Sequence, residues 1–158
     1  MAVVSDSTTL IILYDLGKLH YLENLFAKIY IPQAVYDEIS YKKEFTLAPF
    51  IEIVQVDANE QLSELMMLLD EGESQAIALA IHKQIPLIID EKKGRKIALN
   101  LDVPILGLLG VLYLNMRKKY LTKDEVANFL NEAKKNGYRI SEKLISQMFQ
   151  EIASKLQV

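Results

Sequence analysis

Four acids in this chain stand where an acid needs a reason. Asp6 ends the apolar run Val3-Val4-Ser5, and Asp90 ends the run Leu87-Ile88-Ile89. Each would sit at the carboxyl end of a buried strand, the edge at which open α/β sheets bind their ligands. Glu73 opens a helical pattern whose apolar positions are Ala76, Ile77, Ala80 and Ile81. That spacing puts its carboxylate on the buried face, at the amino-terminal end. Glu38 borders a face marked by Ala34 and Val35, and Asp37 competes with it for the same role. Taken singly, Asp6 reads equally well as a helix cap. Glu73 reads as a charge meeting a helix dipole, and Glu38 as a surface acid. Taken together they are carboxylates gathered at element ends. Such groups raise one another's pKa unless a cation lies between them. A divalent ion would remove that penalty and could activate water against a phosphodiester.

The other residue types narrow the chemistry. The chain has no cysteine and only two histidines, His20 and His82. Disulfides, thiolate catalysis and multi-histidine or cysteine metal sites are excluded. Ligands drawn from carboxylates favour Mg²⁺ or Mn²⁺. Lys92, Lys93, Arg95 and Lys96 follow Asp90 directly, where a phosphate backbone would need counter-charge. Arg95 is the best placed of them, just after Gly94 at the start of a helix. The net charge of −3 argues against a protein that coats nucleic acid by general basicity.

The elements that must carry these residues alternate. Val3–Ser5, Lys28–Ile31, Phe50–Val56, Leu87–Ile89 and Val103–Leu106 read as strands. Helices are expected over Thr8–Leu16 (capped by Ser7 or Thr8), about Leu19–Phe26, Gln33–Tyr41, Glu60–Leu69, Glu73–Lys83, Arg95–Leu101 and Leu108–Lys118. Thr122-Lys123-Asp124-Glu125 has the capping-box pattern for a helix closed by Gly137. Ser141 can cap a last helix with the stripe Leu144, Ile145, Met148, Phe149 and Ile152. Strands alternating with helices imply crossovers and a parallel sheet flanked by helices. At 158 residues and 51% hydrophobic content, one domain is expected over 1–158, with 122–158 a helical extension. No apolar run approaches the ~20 residues of a membrane span. No basic, apolar leader opens the chain. A cytoplasmic location is the expectation.

The order of these motifs resembles the PIN-domain nucleases, and within them a prokaryotic branch of predicted nucleic-acid-binding proteins similar to toxin ribonucleases. The matching stretches are Val4-Ser5-Asp6-Ser7-Thr8, Ile31 to Ile39, Gly72-Glu73-Ser74-Gln75-Ala76-Ile77, Ile89 to Arg95, and Gly107-Leu108-Leu109-Gly110-Val111-Leu112, with Gly137 to Ser141 in the tail. The resemblance implies a three-layer α/β/α sandwich with a mostly parallel five-stranded sheet. It implies a Mg²⁺- or Mn²⁺-dependent ribonuclease acting on RNA, often the toxin of a toxin–antitoxin pair and often a homodimer. By motif position, Asp6, Glu38, Glu73 and Asp90 map to the acidic site. Asp6, Glu73 and Asp90 fall at metal ligands, with Glu91 in support and Lys92 and Arg95 facing substrate. The chain departs from the pattern twice. Glu73 stands where many PIN domains have Asp, and Leu108 where the related branch commonly has Thr.

Other classes compete. A binding module on the same fold, weak or inactive as a nuclease, suits the acidic composition and Leu108. A haloacid-dehalogenase phosphatase would want a second Asp two residues after Asp6, but Thr8 is there. A response-regulator receiver would want adjacent acids, and Ser5-Asp6-Ser7 does not supply them.

Overall fold

The computed structural model describes residues 1–156. Val3 and Val4 are neighbours, both fully buried, and they belong to two different cores. Successive strand side chains point to opposite faces, so their strand, β1 (Ala2–Ser5), must be covered on both sides. The same alternation recurs in β2 (Lys28–Pro32), where Ile29 and Ile31 face one core and Tyr30 the other. In β4 (Leu87–Ile88), Ile88 joins the first core and Leu87 the second. Burying each such side chain contributes roughly 1.5–3 kcal/mol.

The sheet is completed by β3 (Ile51–Val54) and β5 (Ile105–Leu106). Its order is β3-β2-β1-β4-β5 and every pairing is parallel. One face carries α1 (Ser7–Asp15), α2 (His20–Glu23), α3 (Gln33–Lys42) and α7 (Leu108–Arg117). The other carries α4 (Glu60–Met66), α5 (Glu71–Lys83) and α6 (Lys92–Asn100). The result is the α/β/α sandwich the alternation implies. Of α8 (Lys123–Lys135) and α9 (Glu142–Leu156), both pack onto the first face. Val126, Phe129, Ile145, Met148 and Ile152 join the core that holds Val3. Among the described residues no helix is long and apolar enough to cross a membrane.

Several element boundaries differ from expectation, and capping explains most of them. Helix α1 begins at Ser7 because Asp6, rather than Ser7 or Thr8, is its cap. Helix α5 begins at Glu71 because Asp70 accepts the Glu73 N–H at 2.8 Å. Gly72 therefore lies within the first turn. Helix α6 starts at Lys92 because Glu91 accepts the Gly94 N–H at 2.7 Å. The basic run after Asp90 is thus helical from its first residue. Strand β5 shrinks to two residues, since Pro104 has no N–H for the ladder. Strand β3 is likewise shorter than Phe50–Val56. Asn59 caps α4, and Thr122 with Glu125 forms the expected capping box. Gly17 closes α1 at φ +69°, with the Lys18 N–H bonded to the Leu13 carbonyl.

Candidate active site

From β1 the chain builds outward through β2 to β3, then returns to lay β4 and β5 on the other side of β1. The switch point lies between β1 and β4, where such sheets open a crevice at the carboxyl ends of the strands. Asp6 directly follows β1. Asp90 follows β4 after one residue, Ile89. The first turns of α1, α6 and α7 start at this edge. Helix α5 runs back across the sheet toward β4, which brings its first turn, with Asp70 and Glu73, to the same place.

Asp6 is 4% exposed. One carboxylate oxygen accepts the Ser7 N–H at 2.6 Å, which caps α1. Its pKa is nevertheless pushed up to about 6. Burial is the main cause. The Ser7 hydrogen bond opposes it, and the charges of Glu38, Asp70 and Asp90 add to it. The cap role and the cluster role are therefore both present, and loss of water outweighs the cap. Glu73 is half-buried on the first turn of α5 and its pKa is pushed up to about 7. Burial again leads, followed by Asp70, Asp6, Glu91 and Glu38.

Glu38 projects from α3 toward this cleft and lies 3.8 Å from the Lys42 ammonium. A methyl group at Gly72 would stand 3.7 Å from Glu38 Oε2 and 3.8 Å from Asp70 Oδ1. Gly72 is thus the point where α3 and α5 bring their acids near each other. Asp37 is exposed and accepts from Gln33 at 2.8 Å, away from the cleft. Glu91 caps α6 and also feeds the field at Glu73. Its carboxylate has a structural partner of its own.

Asp90 is held on both oxygens. Thr9 donates its hydroxyl to Oδ2, and the Leu108 N–H donates to Oδ1 at 3.0 Å. Leu108 is an apolar residue where a Thr was the family expectation. Its side chain is buried in the core, and its backbone supplies the polar contact. Arg95 reaches back from α6, its Nη1 donating to the Ile89 carbonyl at 3.2 Å. Gly107 fits between these two groups. A Cβ there would lie 2.5 Å from Arg95 Nη1 and 2.7 Å from Asp90 Oδ1. Only glycine lets the β5–α7 turn approach this closely. Lys92 is exposed beside them.

The structure brings Asp6, Glu38, Glu73 and Asp90 to one edge, and adds two residues that the sequence reading missed. Asp70 had a legible signal, an acid three positions before Glu73 and an apolar run, as in a capping box. Thr9 had none, because its partner lies 81 positions away. Among the described residues, no three acids or histidines converge closely enough to form a ready metal-ligand set. The chemistry of the donors still fits a hard divalent cation, since they are carboxylates only and two are held above their ordinary range.

The fold is an all-parallel five-stranded α/β/α sandwich with acids gathered at its switch point. The chain belongs to the PIN-domain family DUF3368, whose sequence profile matches residues 2–154. PIN domains are in general nucleases, and divalent metals are their typical cofactors. No curated protein sequence matches the chain.

Proposed function

We propose that this protein is a Mg²⁺- or Mn²⁺-dependent endoribonuclease that hydrolyses phosphodiester bonds in single-stranded RNA. The observation that carries the reading is the shared field at the sheet edge. Asp6 and Glu73 sit on different elements, and both feel the charges of Glu38 and Asp70, which add to burial in raising their proton affinity. Such a cluster costs stability, and a bound cation offsets that cost. Asp6, Glu73 and Asp90 would hold the ion, with Glu38 completing the site. When bound, the ion supplies Lewis acidity and a nucleophilic water at neutral pH. The chain's own residues do the rest. Thr9 and the Leu108 N–H fix the Asp90 carboxylate. Arg95 and Lys92 offer the substrate phosphates a cationic flank beside it. Without metal, burial and the neighbouring acids raise the Glu73 pKa to about 7, so its carboxylate is only partly ionised near neutral pH.

In this reading residues 1–158 act as one unit with 122–158 as a helical extension, of which Val126, Phe129, Ile145, Met148 and Ile152 join the first core. A toxin role, an antitoxin partner, a homodimer and a cytoplasmic location extend the same reading from the family resemblance. A small protein encoded beside this chain that binds it and silences cleavage would support the first two.

The test is Mn²⁺-dependent cutting of a labelled RNA oligonucleotide. Asp6→Asn and Asp90→Asn should each abolish it. Cutting that survives unchanged in both variants overturns the assignment. A second reading, a binding module without cleavage, is favoured by one observation: both Asp90 oxygens already have protein donors. RNA retained but uncut with Mn²⁺ present would select it.

A further inference from the structure

A cleft of about 1220 Å³ runs away from Asp90 between α7 and α9. It exceeds the ~300–1,000 Å³ of most small-molecule sites and suits a segment of polymer. Its mouth holds Asp90, Lys92 and Arg95, and its inner wall is formed by Leu106, Leu109 and Tyr113. The opposite wall is α9, which presents Gln147, Gln150 and Glu151 on its exposed side. Tyr113 is the aromatic residue of the lining among the described residues.

Resting on the ribonuclease reading above, we propose that this cleft is a nucleobase-binding subsite. It takes the unpaired bases that flank the phosphodiester at Asp90. The charge arrangement orients the strand. Phosphates follow Lys92 and Arg95, while Glu151 keeps them off the α9 wall. Bases then turn toward Tyr113 and the two glutamine amides. Tyr113 supplies a stacking face, and Gln147 and Gln150 carry both donors and acceptors for base edges. The chain's net charge is −3, and among the described residues Lys92 and Arg95 are the cations of the cleft lining. Phosphate contacts alone would hold a single strand weakly, so stacking must carry much of the affinity. A partner helix laid in the same cleft would have little use for two cations beside the acidic edge.

The experiment is fluorescence anisotropy of a labelled, unstructured RNA octamer against the full chain carrying Asp6→Asn, which blocks cutting. Tyr113→Leu should weaken binding about tenfold, a usual loss for one stacked base. The double variant Gln147→Glu, Gln150→Glu alters only exposed α9 positions and should weaken it similarly. It keeps the test decisive if Tyr113→Leu misfolds. The slope of log affinity against log salt should be shallow, about −1.4 for two phosphates on a single strand. Binding unchanged by the double variant, or a slope steeper than about −3, overturns the subsite and leaves the cleft to a protein partner. Cleavage by the unsubstituted chain is scored separately. Loss of the subsite with Asp90-dependent cutting intact spares the nuclease reading. Groove-dependent binding without any cutting retires that reading and keeps the subsite.

Discussion

The Thr9 hydroxyl donates to Asp90 Oδ2 across 81 positions of sequence, tying the first helix to the end of the fourth strand. Thr9 is almost fully buried, so its hydroxyl has no water to turn to. In the proposed reaction it would act through Asp90, as a positioning residue. Thr9→Val, which keeps the shape and removes the donor, should lower Mn²⁺ affinity or turnover by roughly 10–100-fold. Thr9→Ser should restore most of it. Calorimetric Mn²⁺ titration beside the cleavage assay separates the two effects. Equal behaviour of the Val and Ser variants would remove Thr9 from the site.

Stability without metal should fall as pH rises. Asp6 and Glu73 titrate near 6 and 7 in the folded chain, against ordinary values of 3.8 and 4.5. The folded state therefore holds more protons than the unfolded state between about pH 4 and 7, and stability declines across that window. For these groups it is fully present below the unfolded values and flattens above the folded ones. Asp6→Asn should raise the melting temperature at pH 8 by roughly 5 °C, while abolishing activity. Thermal melts of both proteins in EDTA at pH 5 and pH 8 decide the point. A chain that melts higher at pH 8 than at pH 5 contradicts the acid cluster.

Metal should reverse that trend. Mn²⁺ at about 100 times its dissociation constant stabilises the state that binds it by roughly 2.7 kcal/mol. In a chain of this size that is about 5–10 °C in melting temperature. EDTA should return the melt to its starting point, and Asp90→Asn should show little of the shift. An equal Mn²⁺ shift in Asp6→Asn, Glu73→Gln and Asp90→Asn would place the ion elsewhere.

Gly107→Ala should damage the site more than the fold. The added methyl would meet Asp90 Oδ1 at 2.7 Å, and that carboxylate is pinned by Thr9 and the Leu108 N–H. Arg95 can swing aside, whereas Asp90 cannot move without losing a hydrogen bond. Cleavage should drop at least tenfold with the helical circular dichroism unchanged, a loss of about 1.4 kcal/mol of transition-state stabilisation. Full activity in this variant would mean that Asp90 need not be held.

The carboxyl-terminal helix should behave as core. Ile152 is fully buried, whereas Leu144 on the same helix is 53% exposed. Ile152→Ala should cost about 2–5 kcal/mol in urea unfolding, and Leu144→Ala less than about 0.5 kcal/mol. Equal, small losses would mean that α9 is only loosely attached.

The parallel sheet was legible because its inner strands are apolar on both faces; Val3-Val4 and Leu87-Ile88 declare it without help. Asp6 and Asp90 were legible for the same reason, as acids that interrupt such runs. Helix starts were harder. An acid before a helix serves as cap or as first-turn charge, and only geometry shows that Asp70 caps α5 while Glu73 sits inside it. Glu38 and Asp37 are adjacent, and which of them turns to the cleft depends on how α3 packs against α5. The Thr9–Asp90 bond and the α7–α9 cleft are contacts between distant segments. Local pattern carries no trace of either.

The middle strand of the sheet is the first one synthesised. Strand β1 waits for β4 on one side, and the donors that fix Asp90 come from Thr9, soon after β1, and from Leu108, beyond β4. At roughly 5–20 residues per second, the 81 positions between Thr9 and Asp90 take of order ten seconds to translate. During that time Asp6 lacks Asp90 and β4 on one side, although β2, Glu38 and Asp70 are made earlier. The edge proposed to cut RNA therefore stays incomplete until both Asp90 and Leu108 have been made.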